Sequence, residues 1–342
     1  MRFVFLIPDL YPKPVVDRID STLRLLRFQV FRDLVRLKMM PVEVAHGGAL
    51  NIMRHCEVAR ACGVDAVLAT MRGIDTYGEE YGLYNLPFIR WADRRPDDIC
   101  IIPDYVTELM NEIEGQAIAY LQVPIHTHNN FDYRSDRVTL WTDSPYMEDI
   151  CRATYPGKAV EIVPNIIDPQ QFPFIPQAQR EEGLLFAFPR KNPEYITATE
   201  ACYRAMGGTF WKFQLVDGLS IHELTQQFTR PQVFLASADM EGCALPPQES
   251  MAAGIVVVGR TAKGANFCME HGETAMTAET PEAAARCLLE LENAELRDRL
   301  SKNAHRYISQ FFPNQAPRAF WQRTIAQYQK GSSAKFNPIA AA

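Results

Sequence analysis

A chain of 342 residues, 47% hydrophobic and 22% charged, is long enough for two domains that each bury a core, and too apolar to be disordered. Its formal net charge of -6 argues against a general nucleic-acid binder, which carries a basic surplus. No apolar run approaches the ~18 residues of a membrane helix, and the eight cysteines form no C-x-x-C pair. They read as small core residues in a reducing, cytoplasmic compartment, with no structural zinc site.

Met1 to Pro8 is apolar but too short for a signal peptide and reads as a first β-strand. Beyond it, Arg18, Arg24, Arg27, Arg32, Arg36 and Lys38 accompany Ile19, Leu23, Leu26, Val30, Leu34 and Leu37 at helical spacing. This predicts a basic amphipathic helix within 17–39. Two readings stand: peripheral contact with the inner membrane face, or a helix packed on the sheet or serving as an acceptor-side flap, with the arginines outside. A second apolar row (Leu25, Phe28, Val35) favours packing. His46-Gly47-Gly48 then precedes a helix over about 49–62, and glycines at a helix start let backbone approach a ligand closely.

Apolar runs at 64–69, 99–103, 117–123, 138–142 and 159–163 predict buried strands, as do those at 184–188, 213–216, 233–236 and 255–259. Helical patterns separate them, which implies parallel sheets covered on both faces. A helix over 144–154 has its start written as Asp143 or Ser144 followed by Pro145. At 164–183 the alternation breaks into a Pro- and Gln-rich stretch, and it restarts at Leu184. The expected organisation is a Rossmann-like domain over 1–165, a linker over 166–183, a second Rossmann-like domain over 184–315 and a last helix over 316–330. The tail 331–342 is expected to be mobile. The fold class is α/β, with two Rossmann-like domains facing each other across a cleft and the last helix free to return to the first domain.

The densest chemistry lies in Phe234 to Gly254, where a strand ends, a loop carries Glu241-Gly242, and a helix begins near Pro246 with Glu249 one turn inside. A helix start offers unpaired N–H groups and a positive dipole end, a seat for a diphosphate near Ala244 and Leu245. Glu241, just before that seat, is positioned to meet a sugar. Glu249 is positioned to accept hydrogen bonds from a ribose diol, since a carboxylate has two acceptor oxygens.

This stretch resembles the E-x7-E motif of retaining GT-B glycosyltransferases, especially glycosyltransferase family 4, in the pattern E-G-x-x-L-P-x-x-E-x-M-A-x-G. Ile162 to Asp168 with Phe172 resembles the family's I-P-N-G-V-D junction, with Ile166 in place of glycine. Gly264-Ala265-Asn266 with Glu270-His271-Gly272 resembles a later Gly-rich turn and acidic loop. The likeness covers about 137–328 well and the rest in outline.

The resemblance implies transfer of a sugar, with retention, from a nucleotide diphosphate donor to a glycan or lipid-linked acceptor, in cell-surface polysaccharide or glycolipid synthesis. It implies that Arg190 holds the donor diphosphate, with Lys191 as a second cation displaced from the family's spacing; Tyr195 stands where that lysine normally falls. It also implies that Gly47 and Gly48 cross the cleft towards the donor, and that His126, His128 and Asp104 lie on the acceptor side. No D-x-D motif occurs, so neither metal nor other cofactor is expected beyond the nucleotide-sugar co-substrate. Two alternatives stay open: a GT-B enzyme of another reaction, such as a UDP-sugar 2-epimerase, and a non-catalytic GT-B binding protein.

Overall fold

A computed structural model describes residues 1–11, 13–27, 39–41, 47–73, 75, 86–124, 133–311 and 315–334. The first half contains strands β1 (Arg2–Leu6), β2 (Asp9–Tyr11), β3 (Met39–Pro41), β4 (Asp65–Thr70), β5 (Phe88–Arg90), β6 (Ile99–Pro103), β7 (Ala117–Leu121), β8 (Val138–Thr142) and β9 (Val160–Ile162), with helices α1 (Lys13–Leu25), α2 (Gly47–Ala61) and α3 (Pro145–Thr154). The second half contains β10 (Leu184–Ala187), α4 (Pro193–Ala205), β11 (Lys212–Leu215), α5 (Ile221–Gln227), β12 (Val233–Ala236), α6 (Leu245–Ala253), β13 (Val256–Gly259), β14 (Ala275–Thr277), α7 (Pro281–Glu290), α8 (Ala294–Phe311) and α9 (Gln315–Ala334).

The continuous apolar runs become parallel strands because only a sheet covered on both faces can bury every side chain of such a run. β1, β6 and β7 are buried at all five positions each. The first sheet has the order β5-β4-β1-β6-β7-β8-β9 and the second β11-β10-β12-β13-β14, with all pairs parallel. Separate apolar clusters fill the two faces of each sheet. The strand order reverses between β1 and β6 in one sheet and between β10 and β12 in the other, which opens a crevice at the C-terminal strand ends.

The last helix returns to the first domain. Phe320 and Trp321 of α9 are buried in that domain's core, with the Trp321 ring edge-on to Phe3 at 5.2 Å between centroids. Trp321 Nε1 donates to His55 Nδ1 at 3.1 Å, and the other ring nitrogen of His55 lies 3.0 Å from the Pro164 carbonyl. Accepting at Nδ1 and donating from Nε2 defines a neutral imidazole, and burial pushes its pKa down to about 4.

Several expectations need correcting. The pair β2–β3 forms a small parallel sheet of its own, and β5 and β14 are strands too short for a periodic signal. Helix α9 runs to Ala334, beyond the expected end at 330; of the tail, 335–342 lies outside the described residues. In the basic segment α1 ends at Leu25, and 28–38 lies outside the described residues. Leu25 is 84% and Leu26 57% exposed, so neither is a core residue, and the second apolar row loses its first member. Helix α3 is capped by Ser144, whose side chain accepts from the Met147 N–H; Pro145 takes the first helical position. All eight cysteines are free thiols.

Candidate functional site

A cleft of about 590 Å³ lies between the facing strand ends. From the second domain it is lined by Arg190 and Lys191 just after β10, Glu241 after β12, and Ala244, Leu245 and Glu249 at the start of α6. From the first domain it is lined by Gly47 and Gly48 at the start of α2, Asp104 after β6, Gln122 after β7 and Asp143 after β8. Nine of the residues singled out in the sequence therefore converge on one cavity. Gly242 lies beneath the wall as a packing contact, and His126 and His128 lie outside the described residues.

Lys191 Nζ sits 2.9 Å from Glu241 Oε1, with the lysine side chain 44% exposed and the glutamate 15%. The cation out of register with the family's spacing thus pairs with the loop carboxylate. Tyr195, at the position where the spacing expects lysine, is buried and donates its hydroxyl to the Ala278 carbonyl at 2.7 Å. Arg190 is exposed and makes no ion pair or hydrogen bond among the described residues.

The helix start is poorer in donors than its sequence suggests. The Ala244 N–H donates to Asn266 Oδ1 at 3.2 Å, and Pro246 and Pro247 have none to give. The Leu245 N–H is left, together with the helix dipole. An anion seated here must rely chiefly on Arg190 and Lys191.

Glu249 is 4% exposed, and no described group donates a hydrogen bond to it. Burial pushes its pKa up to about 7, with Arg54 pulling the other way. Asp143 is also buried, its Oδ1 without a hydrogen-bond partner; burial first, then Asp104 and Glu241, raise its pKa well above the usual carboxylate range. Asp104 is committed to structure on one side: its Oδ2 accepts the N–H groups of Gln122 and Val123 at 2.9 and 2.8 Å.

The chain junction explains why glycine is dispensable at 166. Ile166 does not adopt a left-handed backbone. Its N–H donates to Asn51 Oδ1 at 3.0 Å and its carbonyl accepts from Arg54 Nη1 at 2.7 Å. Asn51 Nδ2 donates to Asn165 Oδ1 at 3.0 Å, and Asn165 Nδ2 reaches the Cys243 carbonyl and Gln248 Oε1, both at 3.3 Å. Sequence reasoning missed Asn51, Arg54 and Asp143. A usable signal existed: Asn51, Arg54 and His55 occupy i, i+3 and i+4 among the apolar residues Leu50, Ile52, Met53 and Cys56, one polar stripe on the buried side of a helix whose other charges, Glu57 and Arg60, face outward. Among the described residues no group of three or more His, Cys, Asp or Glu side chains is arranged to hold a metal ion.

The fold, two parallel-sheet Rossmann-like domains, is of the GT-B type. Residues 212–307 match the family model described as Glycosyl transferases group 1. Sucrose-phosphate synthase from Thermosynechococcus elongatus is similar over 98% of this chain and 100% of its own, with TM-score 0.64 and 10% identity. HepE from Anabaena, solved in complex with UDP, is similar over 96% of this chain and 100% of its own, with TM-score 0.61 and 11% identity. TarM is similar over 67% of this chain, with TM-score 0.56 and 12% identity; this chain spans 55% of TarM's length. No curated protein sequence matches. At such identities the structural likeness speaks for the fold.

Proposed function

We propose that this protein is a retaining glycosyltransferase that moves a sugar from a nucleotide diphosphate donor to an acceptor hydroxyl. The observation that carries this reading is the convergence of Arg190, Lys191, Glu241, Glu249 and the start of α6 on one cleft at the strand-order reversal of the second sheet. The site residues, and the division into domains at 1–165 and 184–315 with 166–183 between, are part of the proposal.

In this reading the ribose diol donates to Glu249, and the diphosphate lies against the Leu245 N–H, Arg190 and Lys191. Donor binding draws Lys191 from Glu241 to the phosphates, and the freed Glu241 accepts from sugar hydroxyls. The bond from the anomeric carbon to phosphate breaks as the acceptor oxygen bonds on the same face. The acceptor proton passes to the departing phosphate oxygen, so no separate base is required. Arg190 and Lys191 act where charge develops, which is where a fixed cation lowers the barrier most. The cation set supports chemistry without a metal ion. Asp104 lies on the facing wall, on the side proposed for a glycan or lipid-linked acceptor in cell-surface polymer or glycolipid synthesis, and Gly47 and Gly48 reach from that wall towards the donor.

The ligands in the HepE complexes, UDP and UDP-glucose, make uridine nucleotides the first to test. The protein should be stabilised on heating by a nucleotide sugar, because a ligand that binds only the folded state raises its apparent stability. Donor consumption should then depend on an acceptor mixture. Turnover without acceptor would point to an epimerase-type reaction, and binding without turnover to a non-catalytic protein. The occupied Ala244 N–H and the two prolines favour that last alternative over the epimerase.

A further inference from the structure

Arg54 is a cation from the first domain buried against an acid of the second. Its side chain is 5% exposed, and Nη1 lies 3.8 Å from Oε1 of Glu249, itself 6% exposed. Two of its five N–H donors are engaged elsewhere: Nη1 bonds the Ile166 carbonyl and Nη2 bonds Gln171 Oε1, each at 2.7 Å. These bonds fix the guanidinium on the segment joining the domains. At 3.8 Å its contact with Glu249 is coulombic and not a hydrogen bond, so the carboxylate keeps its acceptor sites for something in the cleft.

We propose that Arg54 is a positioning residue for the nucleotide: from the first domain it keeps the Glu249 carboxyl charged and ready for a ribose diol. The proposal rests on the reading of Glu249 as the ribose acceptor. Burial alone works against the charge, since a carboxylate moved out of water favours its neutral form. Among the described residues Arg54 is the charge that opposes this; burial lowers the pKa of Arg54 itself, and Glu249, then Asp168 at the end of the junction and Glu57 on α2, pull it back up. From α8, His305 packs on α6 with its ring nitrogen at the Ala252 carbonyl, 2.8 Å away. Because Arg54 is anchored on α2 and the junction and Glu249 on α6, ribose recognition depends on both domains.

The test is calorimetric titration of the full chain with UDP-glucose from pH 6 to pH 9, a probe whose diphosphate diester does not titrate in that range. With the Glu249 carboxyl at about 7, affinity should rise about tenfold between pH 6 and pH 8, and binding at pH 7 should release protons. In Arg54→Gln the rise should move up by one pH unit or more, making binding at pH 7 several-fold weaker and largely recovered at pH 9. Arg54→Lys should restore the wild-type midpoint. A purely structural role would instead weaken binding equally at every pH.

A folded Arg54→Gln protein with the wild-type midpoint overturns the proposal. If that variant does not fold, the other two measurements decide: the proposal fails if wild type binds without releasing protons at pH 7, or if Arg54→Lys shifts the midpoint as a neutral residue should. Glu249→Gln should give a flat profile. If it instead keeps wild-type affinity and profile, the ribose reading is the one that fails.

Discussion

Gly242→Ala should force the two walls of the cleft apart. Gly242 follows Glu241 where the loop after β12 meets the first sheet. A β-carbon there would lie 1.9 Å from the Gln122 carbonyl oxygen and 2.8 Å from Asp143 Oδ1. Carbon and oxygen rest no closer than about 3.3 Å, so the loop must retreat by roughly 1.4 Å. The obstacle is backbone, and it cannot swing aside, because Asp104 holds the adjoining N–H groups of Gln122 and Val123. The retreat pulls the Gly242 carbonyl from the Ser144 hydroxyl and carries Glu241 and the start of α6 away from the facing wall. Misplacement by 1 Å can cost about 10²-fold in rate, so kcat/KM for sugar transfer should fall about a hundredfold. Stability should fall by only about 1–3 kcal/mol, because the sheet cores are untouched. Gly48→Ala is the control: its β-carbon would meet Gln122 Oε1 at 3.0 Å, a side-chain end that can rotate away. Transfer kinetics and thermal melts of the two variants check the reasoning. A Gly242→Ala enzyme with wild-type kcat/KM refutes the view that this contact sets the distance between the walls.

Arg190→Ala should lose most of kcat with almost no change in melting temperature, since the side chain is exposed and unpaired among the described residues; transfer should survive EDTA, and loss in chelator with recovery in magnesium would contradict the cation-based mechanism. His55, neutral with a folded pKa of about 4 against about 6.5 unfolded, contributes stability that is full above pH 6.5 and lost as pH falls towards 4, on the order of 3 kcal/mol. The gap in urea midpoint between wild type and His55→Gln should therefore narrow as pH falls from 7.5 to 4.5, and a constant gap would remove the buried imidazole as its cause. Exposed Leu25 and Leu26, beside exposed Arg27, are where we propose peripheral membrane contact. Wild type should sediment with anionic vesicles and Leu25→Glu/Leu26→Glu should not, with equal melting temperatures; a wild type that stays in solution removes this contact.

Features governed by neighbours within a few residues were legible in the amino-acid sequence. The apolar runs at 99–103, 138–142 and 233–236 match their strands residue for residue, because short runs rich in β-branched and aromatic residues suit a strand covered on both faces. Ser144-Pro145 announced a helix start, since cap and first turn are local chemistry. The strand-loop-helix stretch from 234 to 254 brought Glu241 and Glu249 to one cleft, because a strand end, a short loop and one helical turn leave little freedom between them. What lay beyond the sequence was decided by partners remote along the chain. Lys191 could be assigned to Glu241 only once β10 and β12 stood side by side, and Arg54 to Glu249 only once two domains met. The Ala244 N–H was claimed by Asn266 across a turn no periodicity predicts. Trp321 found His55 across 266 residues of chain. Periodicity and capping report how a segment meets its own water and its own core. Pairing of buried polar groups depends on which distant elements remove that water, and the tertiary structure alone decides it.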